Sequence, residues 1–157
     1  MTMAMTVQDY LQHKHAAYNV MNHPHTQCSM ETAATAHIPG DSLAKSVILG
    51  DDMGGYMMAV VPSTCHVGMA RLSRHTGSEL HLASEQELAM LFGDCEIGAI
   101  PAVGTAYGLK TVIDKRLMRQ PEVYFEAGDH EGLVHMSMST FLDLMADADR
   151  AEICFHM

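Results

Sequence analysis

The glycine segment, residues 93–108, contains the backbone groups best suited to binding a small ligand. Gly93, Gly98, Gly104 and Gly108 surround Pro101 there. Their spacing fits neither G-x-G-x-x-G nor G-x-x-x-x-G-K-[ST], so the segment does not predict a nucleotide-phosphate loop. Because glycine allows other groups to approach the main chain closely, its exposed N–H and C=O groups could line a pocket. An ordinary surface turn is the alternative interpretation.

Lys45 is the basic residue best placed for chemistry. It stands at the start of an apolar segment, SLAKSVILG, that is typical of a strand. An ammonium at that place can sit at the mouth of a pocket and bind a carbonyl, hydroxyl or phosphate oxygen as a compact point charge. A surface lysine whose stem covers apolar neighbours is the alternative.

Histidines near the N-terminus raise the question of a metal site. His13, His15, His23 and His25 lie close together in the sequence. However, the sequence holds no HExxH motif, and no cysteine or carboxylate stands at a spacing typical of zinc sites. A specific metal site is therefore not the favoured interpretation, and a histidine-rich metal-binding protein stays only as an alternative.

Two other places could supply an acid, a base or a nucleophile. His130 and Asp129 share the turn-like segment AGDHEG, where they could orient or polarise a water, or simply be solvated. Cys95, in GDCEIG, could be a nucleophile if its pKa were lowered, although a buried small side chain is the more frequent role. No G-x-S-x-G elbow is present, so a serine triad is not predicted.

Length and charge limit the classes of function. The 157 residues suffice for about one domain with its own core. The net charge of −10 excludes a general nucleic-acid coat, because phosphate binding relies on many basic contacts. Lys110, Lys115, Arg116 and Arg119 nevertheless fall within ten positions and could form a local phosphate-contacting patch. A solvated face is the alternative.

Cysteine spacing and the first residues bear on the cellular compartment. The four cysteines are widely spaced and form no CxxC pair, so neither a disulfide framework nor a zinc knuckle is predicted. The first 15 residues lack a basic stretch followed by an apolar one, so we predict no secretory signal and expect a cytoplasmic protein. No apolar run approaches the ~20 residues that span a bilayer.

Helical and strand patterns alternate irregularly along the chain, which predicts an α+β fold with a mixed sheet. The predicted helices cover residues 6–20, 29–37, 66–76, 84–92 and 139–148, and S-x-x-E at Ser84 and Glu87 predicts a capping box. The predicted strands cover residues 46–52, 56–62, 80–83, 111–118, 122–128 and 133–137, the first two forming a hairpin.

The run LHLASEQELAMLFGDCEIGAIPAVG resembles the YbaK-type aminoacyl-tRNA deacylase family, which includes the prolyl-tRNA synthetase editing domain and its free-standing relatives. It carries most of the family phrase A-x-E-x-E…F-x-D-C-E-x-G-A-x-P-P-[FL]-G. Three further phrases keep the family's order: A-K-S-V around Lys45, residues 112–114, and E-A-G-D-H at residues 126–130. The resemblance covers roughly residues 20–148. It implies one domain over residues 1–157, with a mixed, barrel-like sheet, flanking helices, no metal and no bound cofactor.

The resemblance also implies site residues. Lys45 matches the family's key lysine, which contacts the substrate near the terminal adenosine and the ester. Gly98 matches the start of a loop whose backbone positions the aminoacyl group or the attacking water. Asp129 and His130 fall where relatives place polar pocket residues. The residues implied to bind substrate lie before the second helix and in the glycine segment: Cys28, Met30, Ala99, Ile100, Pro101, Ala102 and Gly104.

The glycine segment differs from the family pattern at two positions. Ala102 stands where proline is usual, with Pro101 one residue earlier, and Val103 replaces a bulkier residue. These differences leave the identity of the edited amino acid open.

The prediction is a free-standing trans-editing deacylase for the 3′ end of a mischarged tRNA, most simply one carrying a small amino acid. An aminoacyl-tRNA synthetase could be its partner, and neither a membrane nor DNA is expected. A non-catalytic module that binds aminoacyl-adenosine, tRNA or a synthetase is the alternative.

Overall fold

The computed structural model describes residues 3–25 and 29–156, and within them five α-helices and ten strands. The helices are α1 (Met5–His13), α2 (Ser29–Ala36), α3 (Met69–Thr76), α4 (Glu85–Leu91) and α5 (Met138–Leu144). The strands are β1 (Asn19–Asn22), β2 (Leu43–Asp51), β3 (Tyr56–Pro62), β4 (Cys65–Val67), β5 (Leu80–Leu82), β6 (Lys110–Asp114), β7 (Glu122–Glu126), β8 (Gly132–Ser137), β9 (Asp149–Ala151) and β10 (Cys154–His156).

Eight of these strands form one mixed sheet. Its order is β1-β8-β7-β2-β3-β6-β9, and β5 pairs with β2 outside that path. The predicted hairpin is β2–β3, which is antiparallel, whereas β2–β7, β3–β6 and β6–β9 are parallel. Strands β4 and β10 form a separate antiparallel pair. The predicted α+β class, with a mixed sheet and flanking helices, is confirmed.

Both faces of the central strands are buried, which explains their nearly continuous apolar sequence. Along β3, Met58 and Val60 belong to the larger core, beneath α1, α5 and the glycine segment. Met57, Ala59 and Val61 belong to a second core on the opposite side, together with residues of α3 and β10. Successive strand residues point to opposite faces, so the methionine pair at 57–58 contributes one side chain to each core.

Local capping signals account for several helix ends. Ser84 and Glu87 form the predicted capping box at the start of α4. Gly77, in the left-handed region at φ +72°, ends α3. His15 and His37 take the same role after α1 and α2, at φ +54° and +58°. Each of these histidines closes a Schellman-type pair of hydrogen bonds, so both serve to end a helix.

Some predicted boundaries are wrong. The helix expected over residues 6–20 ends at His13, and residues 19–22 form β1 instead, because they pair with β8 at the edge of the sheet. The helix expected over residues 66–76 begins at Met69, and β4 occupies the residues before it. Over the described residues, no helix combines the length and hydrophobicity needed to cross a membrane.

Candidate active site

A gap in the sheet opens into an apolar cavity. Strand β7 pairs with β2 at Leu43 and Ala44, and β5 pairs with β2 at residues 49–51. The edge of β2 between these pairings is covered by no strand in the described structure. A cavity of about 340 Å³ opens there, walled by residues 44–48, the ends of β5 and β7, α4 and the glycine segment.

The main chain of Ser46 faces this gap. Strand residues alternate the edge toward which their N–H and C=O groups point. The carbonyl of Ile48 accepts the N–H of Ala83 on the gap side, at 3.0 Å. Ser46, two residues earlier, therefore directs its own N–H and C=O toward the cavity. Its hydroxyl donates to the carbonyl oxygen of Ile100 at 2.8 Å, which joins β2 to the glycine segment.

Lys45 lines the cavity, as its predicted role requires. Its ammonium donates to the carbonyl oxygen of Cys65, at the start of β4, with an Nζ–O distance of 2.7 Å. The sulfur of the same cysteine lies 3.6 Å from a guanidinium nitrogen of Arg116. Cys65 thus contacts two cationic side chains, one through its carbonyl oxygen and one through its sulfur.

The glycine loop, residues 96–102, is held in place by hydrogen bonds to three other parts of the chain. Gly98 has φ +89°, a conformation that L side chains rarely adopt, and it lines the cavity. The N–H of Glu96 donates to the carbonyl of Gly128 at 2.8 Å. His130 Nε2 lies 2.7 Å from the carbonyl oxygen of Ile97. The third hydrogen bond is the one from Ser46.

His130 is buried beneath the glycine loop, at 4% exposure and φ +60°. A carbonyl only accepts, so Nε2 carries the proton that binds Ile97 O, and Nδ1 is left buried without a hydrogen-bond partner in the described structure. Asp129 Oδ1 accepts the N–H groups of Glu131 and Gly132 at 3.0 and 2.8 Å. This geometry gives Asp129 a turn-forming contact and His130 a loop-holding contact. Their catalytic roles stay predictions.

Glu126 adds a buried carboxylate to the cavity wall. Its Oε1 accepts the hydroxyl of Thr32 at 2.8 Å, and the same oxygen lies 3.6 Å from His23 Nε2. Its Oε2 is buried with no hydrogen-bond partner among the described residues. Burial raises the pKa of Glu126, while the Thr32 hydroxyl and the two nearby histidines, His23 and His130, oppose that rise.

Cys95 does not have the environment of an activated nucleophile. Burial raises the pKa of its thiol to about 12. Its sulfur lies 3.2 Å from the Tyr107 hydroxyl and 3.4 Å from Asp94 Oδ1, and this carboxylate also raises the pKa. A thiol this weakly acidic holds almost no thiolate at neutral pH.

Five of the predicted substrate-binding residues lie between residues 99 and 104. Ile100 lines the cavity. The other four are buried: Ala99, Pro101, Ala102 and Gly104. Cys28 lies outside the described residues, and Met30 is in α2, where its side chain is not described. Substrate contact by these residues stays a prediction.

The basic cluster expected from the sequence is divided. Lys110 begins β6, whereas Arg116 and Arg119 follow its far end. There they line a polar cleft of about 120 Å³ with Arg71 of α3 and two acidic residues, Asp114 and Glu152. Among the described residues, no carboxylate oxygen lies within 4 Å of these three guanidinium groups.

The four N-terminal histidines do not assemble. His13 and His15 are exposed at the end of α1, while His23 is buried with its Nδ1 2.7 Å from the Pro24 carbonyl oxygen. Within residues 3–25 and 29–156, no three His, Cys, Asp or Glu side chains are grouped so that they could hold a metal ion.

Sequence reasoning did not assign Ser46, Glu126 or Thr32 to this site, and it considered His23 only as a candidate metal ligand. A polar residue directly after Lys45, inside an apolar strand, was the available signal for Ser46. No spacing in the sequence links residue 126 to residues 23 and 32, because the sheet brings these distant segments together.

Comparisons with known proteins agree with this architecture. A family model described as an aminoacyl-tRNA editing domain matches residues 23–144. The crystal structure of hypothetical protein APE2540 superposes with a TM-score of 0.85 at 20% identity, covering 96% of this chain and 99% of that chain. A candidate trans-editing enzyme for prolyl tRNA synthetase gives 0.82 at 25% identity, covering 96% and 95%. None of the curated proteins matches this sequence.

Proposed function

The chain belongs to the aminoacyl-tRNA editing domain family, and on that premise we propose that it hydrolyses the ester between a tRNA and a wrong amino acid. One observation carries the proposal. The uncovered edge of β2, with Lys45 and Ser46, faces a glycine loop that three hydrogen bonds hold across the cavity. That arrangement suits an ester carbonyl placed between two sets of backbone groups.

The proposed chemistry needs no protein nucleophile. An aminoacyl ester is already activated, so positioning and electrostatic stabilisation can supply the required catalysis. Water attacks the carbonyl carbon, the bond to the ribose oxygen breaks, and the amino acid leaves as the ribose hydroxyl is restored. The N–H of Ser46 and the backbone around Gly98 are the candidate donors to the oxygen that gains charge. Lys45 anchors the 3′ end, and His130 acts by holding the loop.

The arginine cleft supports binding of a tRNA end. Arg71, Arg116 and Arg119 have no carboxylate neighbours within 4 Å in the described structure, although the chain as a whole carries −10. Cys65 contacts both Lys45, through its carbonyl oxygen, and Arg116, through its sulfur, so one residue links the lysine to the cleft. We propose that these arginines contact phosphates of the tRNA, as weak contacts that favour brief sampling.

The cavity favours a small amino acid. Its wall is largely apolar, with Ile48, Leu82, Leu88, Ile97 and Ile100 among the lining residues. The relative at 25% identity is named for prolyl tRNA synthetase, so alanyl-tRNA(Pro) is the first substrate to examine. A synthetase that releases mischarged tRNA could supply the substrate, and the cytoplasm is where we expect this exchange.

A panel of mischarged tRNAs tests the proposal. The panel includes alanyl-, cysteinyl-, seryl- and threonyl-tRNA(Pro), each incubated with wild type, Lys45→Ala and Lys110→Ala. Lys110 is the matched control because it is exposed at the other end of β6 from the arginine cleft. We expect wild type and the control to hydrolyse at least one substrate equally well, and Lys45→Ala to lose that activity while its melting temperature is kept.

The opposite results are equally informative. Full activity of Lys45→Ala would remove Lys45 from the mechanism. Silence of well-folded wild type across the panel would contradict the deacylase function. Saturable binding of aminoacyl-adenosine without turnover would then support the binding module instead.

A further inference from the structure

Glu126 is a buried acidic residue in the cavity wall, and the roles proposed for the glycine loop and Lys45 do not account for it. It ends β7, is 4% exposed, and belongs to the cavity wall with Gly98 and Ser46. Its Oε1 accepts the Thr32 hydroxyl, but Oε2 has no hydrogen-bond partner in the described structure. Burying a carboxylate oxygen without a hydrogen-bond donor costs free energy. A ligand that donates a hydrogen bond to Oε2 from the cavity would offset that cost.

The protein groups around Glu126 leave it without a strong cationic partner. Among the described residues, the one ion-pair partner within 4 Å is His23, whose Nε2 is 3.6 Å from Oε1. That distance is too long for a hydrogen bond. His23 Nε2 is itself buried without a hydrogen-bond partner among the described residues, and its Nδ1 lies against Pro24 O at 2.7 Å. The carboxylate is therefore positioned by Thr32 and not neutralised by a lysine or an arginine.

An ammonium group is the donor that best matches such a carboxylate, because charge-assisted N–H···O bonds are the strongest available to it. Every aminoacyl ester carries an α-ammonium two bonds from its carbonyl carbon. We propose that Glu126 binds the α-ammonium of the aminoacyl group while the ester lies between Ser46 and Gly98. This assignment rests on the proposed deacylase function and specifies what the site recognises in every substrate.

A contact between Glu126 and the α-ammonium would determine which esters the site accepts. An N-acylated aminoacyl ester carries a neutral and bulkier amide in place of the ammonium, so it lacks the charge that Glu126 binds. The site would thus act on esters with a free amino group and leave peptidyl esters intact. Apolar cavity residues would read the side chain separately.

The test compares alanyl-tRNA(Pro) with propionyl-tRNA(Pro), which lacks the amine without added bulk, and with N-acetylalanyl-tRNA(Pro). Each enzymatic rate is divided by the spontaneous hydrolysis rate of the same ester, since the three esters differ in intrinsic reactivity. We expect wild type to prefer alanyl over propionyl ester by about 10- to 100-fold, the loss typical of one charge-assisted hydrogen bond. Glu126→Gln should remove this preference by slowing alanyl ester hydrolysis alone.

Glu122→Gln is the matched control, because it removes a carboxylate from the same strand where the side chain is 54% exposed. It should keep the wild-type preference. Equal slowing of the alanyl and propionyl esters by Glu126→Gln would overturn the assignment while leaving the deacylase function intact. So would equal wild-type rates on these two esters.

A binding experiment tests the assignment independently of turnover. The probes are the non-hydrolysable 3′-alanylamino and 3′-propionylamino derivatives of 3′-deoxyadenosine, measured by calorimetry. We expect wild type to bind the alanyl amide about tenfold or more tightly, and Glu126→Gln to bind both equally. Equal binding of the two amides by wild type would contradict the assignment. This comparison uses wild type alone, so it still tests the assignment if Glu126→Gln fails to fold. Discrimination without hydrolysis of any ester would support it and contradict the deacylase function.

Discussion

Gly98→Ala isolates the contribution of the glycine loop. The φ of +89° is outside the range comfortable for an L residue, and holding alanine in a left-handed conformation costs about 1–2 kcal/mol. Alanine also lowers the conformational entropy of the unfolded chain, which stabilises the folded state by about 0.4–1 kcal/mol. The net loss of stability should therefore be between about 0 and 1.6 kcal/mol, which lowers Tm by at most a few °C for a chain this long.

Activity should suffer more than stability. The variant loop can relieve its strain by leaving the φ +89° conformation, which changes where the neighbouring backbone groups point. A strain of about 1–2 kcal/mol shifts the equilibrium between the wild-type loop and other loop conformations by roughly 5- to 30-fold against the wild-type loop. The expected result is a measurable fall in kcat/KM for alanyl-tRNA(Pro), by up to about 5- to 30-fold under single turnover.

Gly93→Ala is the control for this substitution. A methyl group there meets nothing closer than the Ala89 carbonyl oxygen at 3.9 Å, and the position does not require a left-handed conformation. It should leave both activity and Tm near wild type. If Gly98→Ala were indistinguishable from Gly93→Ala in both measurements, the glycine loop would not be the catalytic element that we infer.

Three further predictions concern other groups. Cys95→Ser should keep deacylase activity, and native Cys95 should resist iodoacetamide at pH 8, because burial raises its pKa to about 12; rapid alkylation with loss of activity would contradict this. Arg116→Ala should raise KM for aminoacyl-tRNA and lower the slope of log KM against log salt by about one, while Lys110→Ala changes neither; equal effects of the two would disprove the arginine cleft. Glu126→Gln should be as stable as wild type at pH 4 and more stable at pH 7 in urea titrations. Burial raises the pKa of Glu126 in the folded state, so its contribution to stability is present below the unfolded value near 4.5 and is lost as pH rises through the folded value. A variant less stable than wild type at pH 7 would refute the sign of this effect.

Local signals predicted much of the fold. The capping box at Ser84 and Glu87, the hairpin of β2 and β3, and the end of α3 at residue 76 depend on neighbouring residues, and the structure confirms all three. Short edge strands were harder to predict. Strands β9 and β10 have three residues each, and their pairing depends on partners far along the chain. The end of α1 was hidden because a histidine, not a glycine, adopts the left-handed conformation there.

The candidate site was predicted in part for the same reason. Lys45 and Gly98 lie within recognisable phrases, and the structure places both at one cavity. Glu126, Thr32 and His23 meet only because β7, α2 and the chain after β1 converge, and no periodicity encodes that contact. The direction of the Ser46 backbone depends on which edge of β2 lacks a neighbour, a property of the whole sheet.

The most direct measurement of the central claim is to map where the aminoacyl end binds. Amide chemical shifts of 15N-labelled protein would be followed during titration with the 3′-alanylamino derivative of 3′-deoxyadenosine. We expect saturable shifts concentrated at Ser46, Gly98 and Ile100, with Lys110 and Gly93 unchanged. Saturable binding whose shifts lie away from the gap between β5 and β7 would contradict it.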